Sequence, residues 1–141
     1  MRGRVFLDTN VLIYAATSLE PFPDKFARAE EIIANEEFGI STQVLGEFIS
    51  NVQNSRKMKS PLTDEEVDGW IERLSEFPIV SIDREIIVNA TLFQRQYRID
   101  FWDGQILAAA HRFGATTLLT DDLNHGQTYG AVRCENPFRD N

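Results

Sequence analysis

The sequence is short of the residues that form disulfides and sulfur- or imidazole-based metal sites. It has one cysteine, Cys134, and two histidines, His111 and His125, in 141 residues. One cysteine cannot form an internal disulfide, and no Cys/His cluster has the spacing of a zinc site. We therefore expect Cys134 to fill space in the core, and we expect both histidines to lie at the surface rather than act as bases.

Long hydrophobic runs are also missing. The chain has no stretch of eighteen apolar residues, and its N-terminus lacks the basic segment, apolar segment and cleavage site of a signal peptide. We expect a soluble, cytoplasmic protein without a membrane segment. The 141 residues, 43% of them hydrophobic, suffice for one core, which predicts a single domain over residues 1–141.

Positive charge is scarce as well. The chain has 14 Lys and Arg residues against 22 Asp and Glu residues, which gives a formal net charge of −8. This balance argues against a broad basic surface for nucleic acid. The one dense basic run in the sequence contains Arg56, Lys57 and Lys59. It is either a local contact for nucleic-acid phosphates or a solvated loop.

Short apolar segments alternate with amphipathic segments along the whole chain. Strands are predicted at residues 5–7, 38–42, 79–82, 115–120 and 131–134. Helices are predicted at about residues 11–16, 25–34, 43–54, 64–77, 86–97 and 102–113, with loops at residues 18–23 and 123–130. This alternation predicts an α/β fold of three layers, α/β/α, around a Rossmann-like parallel sheet of four to five strands.

The first predicted strand ends in a carboxylate. Val5, Phe6 and Leu7 lead directly into Asp8. In open α/β sheets the ligand crevice lies at the carboxyl edge, where strand ends and helix N-termini converge. Asp8 is therefore a candidate site residue. The alternative is that Asp8 or Asn10 only caps the following helix, since both are preferred N-cap residues.

Asp103 interrupts the apolar side of its helix. At about 100° per residue it falls within the arc formed by Trp102, Ile106, Leu107, Ala109, Ala110 and Phe113. A carboxylate in that position must be paired or must bind something. The alternative is a capping box in which Asp100 is the N-cap and Asp103 is the third helical residue.

Further acids map to the same edge of the predicted sheet. Asp121 and Asp122 follow the strand that runs to Thr120, where turn residues are also expected. Glu47 lies roughly 130° from the centre of its helix's apolar stripe and is equally explained as a solvated glutamate. Four carboxylates within about 5 Å would repel by about 3 kcal/mol per pair at an effective dielectric near 20, so packing alone does not assemble them.

A divalent cation would bring such carboxylates together. An all-oxygen site without histidine or cysteine selects hard ions, Mg²⁺ or Mn²⁺. Such an ion activates a water and stabilises charge during in-line displacement at a phosphodiester, and two ions would clamp the attacking and leaving oxygens. The acids therefore indicate metal-dependent phosphodiester hydrolysis.

Four segments of the chain carry these acids. They are Phe6–Leu12, the helix with Glu47, Phe101–Ala110 and Leu119–Gly126. In this order they resemble the PIN-domain ribonucleases of the VapC toxin type, and the resemblance covers nearly the whole chain. It implies a PIN-like fold and a Mg²⁺- or Mn²⁺-dependent endoribonuclease that is inhibited by a VapB-type antitoxin and is usually dimeric.

The resemblance assigns catalytic and metal-binding roles by position. The family's four acids match Asp8, Glu47, Asp103 and Asp122. Asp122 is preferred to Asp121 because the family's Thr-x-Asp pattern begins at Thr120.

Supporting roles follow from the same comparison. Thr9 or Asn10 is expected to support Asp8 by hydrogen bonding, and Thr120 precedes the fourth acid. Asp121 fills the variable place of the pattern. Asp100 is an additional acid where the family often has a smaller polar residue.

A homodimer is expected from the resemblance and from two helices. The segments 44–52 and 67–74 offer more apolar surface than one sheet face needs. A symmetric dimer that packs them would bring two acid sites to one groove, with Arg56, Lys57 and Lys59 along its rim.

Three other functions fit parts of the pattern. A haloacid-dehalogenase-like phosphohydrolase also begins with a strand ending in Asp, but it requires a second Asp where this chain has Asn10. A receiver-like switch domain would use Asp83 as its phosphorylated residue, but the acid pair and the lysine of that site are missing. A PIN fold that acts as a non-catalytic binding module is disfavoured by the intact acids.

Overall fold

The computed structural model describes residues 3–17 and 23–139, so most of the loop predicted at residues 18–23 lies outside the described residues. The strands are β1 Val5–Leu7, β2 Phe38–Ser41, β3 Ile79–Val80, β4 Thr117–Leu119, β5 Thr128–Tyr129 and β6 Val132–Glu135. The helices are α1 Thr9–Ala16, α2 Pro23–Asn35, α3 Thr42–Val52, α4 Asp64–Leu74, α5 Arg84–Tyr97 and α6 Phe101–Phe113.

The strands form one sheet in the order β3-β2-β1-β4-β6-β5. Every pairing is parallel except that of β5 with β6, which is antiparallel. All residues of β1, β2 and β4 are buried, as expected for strands covered by helices on both faces. The predicted α/β/α architecture with a mainly parallel sheet is confirmed.

The sheet has one strand more than the four to five predicted. The extra strand, β5, lies within the predicted loop 123–130 and contains only Thr128 and Tyr129. Two residues are too few for an alternating pattern to be visible in the sequence. Tyr129 is nevertheless fully buried, so this short edge strand belongs to the core.

Helix α6 is the most deeply buried helix of the described residues. Seven consecutive residues, Gly104–Ala110, are buried, because α6 packs against both α5 and the sheet. A Cβ atom on Gly104 would lie 2.7 Å from the carbonyl oxygen of Ala90, so this glycine permits the close approach of α5. The sequence predicted that only one side of α6 is buried, but α6 is buried on all sides over these seven residues. The predicted apolar side also included Trp102, whose relative exposure is 57%.

Local signals at the helix ends were read correctly. Thr63 and Glu66 form the predicted capping box at the start of α4, and Asp83 caps α5. Gly114 ends α6 with φ of 78°, a left-handed conformation that glycine adopts without strain. Helix α4 ends at Leu74, three residues before the predicted end, and the following residues form turns up to Phe77.

Most apolar side chains of α3 and α4 pack into the core of the chain itself, and the prediction of a dimer through these helices stays a prediction. Val44, Phe48, Val52, Val67 and Leu74 are buried, and the remaining apolar side chains of both helices are partly buried against the same core. The exposed large apolar residues of the described chain are Ile87, Val88 and Leu92 on α5, together with Trp102. None of the described helices is long and apolar enough to cross a membrane.

Candidate active site

Asp8 joins the sheet to helix α1. Its backbone N–H donates to the carbonyl of Leu119 at 3.0 Å, which continues the pairing of β1 with β4 by one residue. Its Oδ1 accepts a hydrogen bond from the Thr9 N–H at 2.6 Å, so Asp8 is also the N-cap of α1. Asp8 therefore caps the helix and is also a candidate site residue. It is only 3% exposed.

Thr120 connects two of the acids. Its Oγ1 donates to Oδ2 of Asp8 at 2.6 Å and accepts from the backbone N–H of Asp122 at 3.1 Å. One hydroxyl thus orients the Asp8 carboxylate and shapes the turn that carries Asp122 back toward it.

Asp103 enters the site from the first turn of α6. The cap of this helix is Asp100, whose Oδ1 accepts from the Trp102 N–H at 2.8 Å. No residue in the described part of the chain donates a hydrogen bond to the Asp103 carboxylate, so the alternative of a capping box with Asp100 is not realised. The half-buried Asp103 is left facing the other acids.

Three aspartates converge at the carboxyl edge of the sheet. One carboxylate oxygen from each of Asp8, Asp103 and Asp122 lies within 4.8 Å of the others. They line a cavity of about 160 Å³, whose other wall residues are Thr9, Asn10, Glu47, Asn51, Trp102 and Ile106. Glu47, in the second turn of α3, accepts a hydrogen bond from Oγ1 of Thr9 at 2.8 Å and is therefore part of this wall rather than a solvated glutamate.

Burial and mutual repulsion make these carboxylates hard to ionise. Burial raises the pKa of Asp8 to about 7, although hydrogen bonds from Thr120 and Thr9 act to lower it. Burial also raises the pKa of Asp103 to about 6, and the charges of Asp122, Asp100 and Glu47 add to the effect. The pKa of Asp122, which is more exposed, is raised by partial desolvation and by the charges of Asp121 and Glu47. A cation at this place would reverse each of these penalties.

A search against protein families matched the PIN domain over residues 5–131 of the chain. The chain belongs to the PIN domain family. No curated protein sequence matched it. The expectation of a PIN fold drawn from the four acidic segments is confirmed.

Solved structures of a toxin and of toxin-antitoxin complexes have a similar fold. VapC20 of Mycobacterium tuberculosis, described as a toxin that cleaves the sarcin-ricin loop, is 16% identical with a TM-score of 0.65, covering 84% of this chain and 91% of its own. VapBC2 of Rickettsia felis, bound to a DNA fragment of its promoter, is 21% identical with a TM-score of 0.64, covering 94% and 98%. A toxin-antitoxin complex of Klebsiella pneumoniae is 19% identical with a TM-score of 0.66, covering 94% and 97%.

Asn10 supports a different acid from the one predicted for this PIN domain. Its Nδ2 donates to Oδ1 of Asp121 at 2.8 Å and to both oxygens of Asp122 at 3.3 Å, not to Asp8. Thr9 supports Asp8 through its backbone N–H, while its hydroxyl is used by Glu47. The sequence placed these side chains at the right edge but could not give their directions.

Asp121 and Asp100 lie beside the cluster rather than in it. Asp121 accepts from Asn10 and, through its other oxygen, from the hydroxyl of Tyr14 at 3.4 Å. Asp100 caps α6 and acts on the site through its charge, which raises the pKa of Asp103.

Helix α3 has a polar stripe that was not predicted from the sequence. Gln43, Glu47 and Asn51 are spaced by four residues and therefore share one helix face. Nε2 of Gln43 donates to the carbonyl of Trp102 at 3.1 Å, and Nδ2 of Asn51 donates to the carbonyl of Glu47 at 2.7 Å. The buried Gln105 donates to Oε1 of Gln43 at 2.7 Å. This spacing was the signal that could have identified Gln43 and Asn51.

The basic run lies close to the cavity wall. Arg56, Lys57 and Lys59 are all exposed, and Nζ of Lys57 donates to Oδ1 of the wall residue Asn51 at 2.9 Å. The run is thus connected to the carboxylate cavity through a single side chain.

The remaining residues predicted to play no part in chemistry lie where expected. His111 and His125 are both exposed. Cys134 is buried and carries a free thiol, and burial raises its pKa to about 12, so it remains protonated. This is the packing role predicted for it.

Proposed function

We propose that this PIN domain is a VapC-type toxin, an endoribonuclease that hydrolyses RNA phosphodiester bonds with Mg²⁺ or Mn²⁺. The observation that carries the proposal is the convergence of Asp8, Asp103 and Asp122, whose carboxylate oxygens lie within 4.8 Å of one another. Such a group of acids is unstable without a cation and has the donor atoms that hard divalent ions prefer.

The residues of the cavity fit such an ion. The donors are all carboxylate oxygens, and no imidazole or thiolate of the described chain competes for the place. Asp8, Asp103 and Asp122 would hold the ion, with Glu47 in the adjoining wall as the fourth catalytic acid. When bound, the ion supplies an activated water and neutralises charge that develops on the phosphate.

The protein's own contribution is to fix the acids in place. Thr120 and the Thr9 N–H hold the Asp8 carboxylate, and Asn10 holds Asp122. The hydroxyl of Thr9 orients Glu47. Asp8, Asp122 and Glu47 are therefore held in position by neighbours before any ion arrives, while Asp103 is positioned by the first turn of α6.

The proposal includes partners. The RNA backbone would be met at the rim of the cavity by Arg56, Lys57 and Lys59, which filter-binding of alanine variants at several salt concentrations would test. A VapB-type antitoxin is proposed because several similar structures are toxin-antitoxin complexes, and co-purification with the neighbouring gene product would test it. We further propose that residues 1–141 act as one unit in the cytoplasm and form a homodimer, for which light scattering gives the mass.

Two observations favour this function over a haloacid-dehalogenase-like phosphohydrolase and over a receiver-like switch domain. Asn10, at the position where a haloacid-dehalogenase-like enzyme needs its second acid, donates to Asp121 and Asp122 instead. Asp83, the candidate phosphorylation site of a receiver-like domain, caps α5 and is paired with Arg112 at 3.0 Å.

A cleavage assay tests the proposal. Purified protein should cut structured RNA in the presence of Mg²⁺ or Mn²⁺, and EDTA should stop the reaction. Asp8→Asn, Asp103→Asn and Asp122→Asn should each lower the rate by at least about a hundredfold, since each removes a ligand charge. Asp68→Asn is the matched control, because Asp68 is an exposed acid of α4 away from the cavity wall. Undiminished cutting by folded Asp103→Asn protein would remove Asp103 from the site.

A further inference from the structure

Trp102 is an exposed aromatic residue in the wall of an acidic cavity. Its relative exposure is 57%, although burying so large a side chain elsewhere in the protein would be favourable. The other exposed large apolar residues of the described chain lie on α5, and none of them borders the carboxylate cavity. Trp102 is adjacent in sequence to Asp103, one of the three converging acids.

The structure holds Trp102 in place from its backbone. Its N–H donates to the cap residue Asp100 at 2.8 Å, and its carbonyl accepts from Gln43 at 3.1 Å. Its ring packs against Phe101 in a T-shaped arrangement with centroids 5.1 Å apart. The main chain of Trp102 is thus fixed from two sides, while more than half of the side chain remains open to solvent.

A fixed, exposed indole beside a phosphodiester-cleaving centre is suited to stacking on a base. Every nucleobase has a π face, and stacking on an aromatic side chain is a sequence-tolerant way to hold an unpaired nucleotide. A paired base has both faces covered by its neighbours and cannot stack in this way. The location of Trp102 therefore favours an unpaired over a paired base beside the acids.

We propose that Trp102 is a stacking platform for an unpaired base next to the phosphate that is cut. This inference rests on the proposed ribonuclease function and adds to it a residue that positions the substrate. A protein partner is the competing occupant of an exposed tryptophan. RNA is favoured because the indole borders the catalytic cavity itself, whereas the apolar side chains of α5 lie outside it.

The two tryptophans of the chain allow a direct test by fluorescence. Trp70→Phe leaves Trp102 as the only reporter, and Trp102→Phe leaves Trp70, which is partly buried against Phe48 with ring centroids 5.7 Å apart. Both are prepared in the Asp122→Asn background with Mg²⁺, which blocks the proposed cleavage and leaves α6 unchanged. The probes are a short RNA without self-complementarity and the same RNA annealed to its complement, each with a terminal dye for anisotropy.

The expected result is saturable quenching of Trp102 emission by the single strand. The annealed duplex should quench it much less, and Trp70 emission should stay unchanged with either probe. By anisotropy, Trp102→Ala should weaken binding of the single strand on the order of tenfold, and Trp102→Phe should retain most of the affinity. Because Trp102 is exposed, Trp102→Ala should melt close to the parent temperature, which excludes unfolding as the cause.

Three results would overturn the inference, and they differ in what they say of the function. If the single strand binds by anisotropy while Trp102 emission and the affinity of Trp102→Ala are unchanged, stacking is wrong and the ribonuclease proposal stands. If Trp102→Ala leaves RNA binding intact but changes the mass in light scattering, Trp102 is a contact between copies. If the parent protein neither binds RNA nor cuts it with metal, the ribonuclease function itself has failed.

Discussion

Asp8 is a carboxylate that the fold buries before any cation is present. Its two oxygens accept from the Thr9 N–H and the Thr120 hydroxyl, yet burial outweighs both bonds and raises its pKa to about 7. A group whose folded pKa lies above its unfolded value stabilises the protein when it is protonated. That stability is fully present below the unfolded pKa of about 3.8 and is lost as the pH rises toward 7.

This conflict predicts a pH-dependent effect of Asp8→Asn on stability. In EDTA, the variant should gain melting temperature relative to wild type as the pH is raised from about 4 to 7, because only the wild type must then bury a charge at position 8. The asparagine side chain also changes the hydrogen bond with Thr120, which shifts the melting temperature by the same amount at every pH. The measurement is therefore how the difference in melting temperature between variant and wild type changes with pH. If the difference in melting temperature stayed constant across this range, the pKa of Asp8 would not be raised as described.

At the residue scale, the sequence predicted which acids meet but not how they are held. Asp8, Asp103 and Asp122 were identified because each follows a strand or opens a helix at one edge, and parallel topology brings those points together. The partners of Asn10 could not be predicted, because the rotamer that turns its amide toward Asp121 depends on tertiary contacts. The exposure of Trp102 was not predicted, because the angular position of a residue on a helix does not show whether that part of the helix is covered by other elements.

At the scale of elements, the packing of α5 on α6 depends on Gly104. A Cβ atom there would lie 2.7 Å from the Ala90 carbonyl oxygen, a backbone atom that cannot move without displacing α5. Since Gly104 follows Asp103, any shift of the start of α6 also displaces a carboxylate of the site. Helix packing and site geometry are thus coupled at one residue.

We therefore expect Gly104→Ala to destabilise the protein by about 1–3 kcal/mol, the usual effect of overpacking a core. Urea unfolding measures this, and metal affinity should fall in parallel. The control is Gly69→Ala on α4, where an added Cβ meets nothing within 4 Å. That change should stabilise α4 by about 0.5–1 kcal/mol, because alanine is the better helix former. Equal effects at the two positions would contradict a steric role for Gly104.

The sequence predicted correctly the elements whose signals are local. It did not predict those that depend on tertiary contacts. The caps at Thr63, Asp83 and Gly114 were predicted because each depends on chemistry within a few residues. Strand β5 was missed because its pairing with β6 is a tertiary contact and not a local pattern. The apolar stripes of α3 and α4 suggested a dimer surface, but how much of a stripe the same chain covers depends on the whole fold.

For the whole molecule, the proposed metal site predicts that stability depends on metal. A cation that binds the folded site and not the unfolded chain stabilises the protein by mass action. At saturating Mn²⁺, about a hundred times its dissociation constant, the gain is about 2.7 kcal/mol. Differential scanning calorimetry should therefore show a concentration-dependent rise in melting temperature with Mn²⁺ that EDTA reverses.

The same scan on the double variant Asp8→Asn/Asp103→Asn locates the ion. This variant should lose the rise and, without metal above pH 7, should melt at or above the wild-type temperature, because the buried charge of Asp8 and the half-buried charge of Asp103 are gone. Asp68→Asn is again the control and should keep the full rise. An equal rise in wild type and double variant would place the ion elsewhere on the surface.

The cavity that holds the acids has a volume of about 160 Å³. Liquid water takes up about 30 Å³ per molecule, and pockets that enclose drug-sized ligands measure roughly 300–1,000 Å³. A hydrated ion fits such a space, and because the cavity is open to solvent on one side, an RNA strand would reach the acids from its mouth. Under the proposed function, side chains at the mouth would select the RNA and the acids below would cut it, so a change at the mouth would alter the target and leave the chemistry in place.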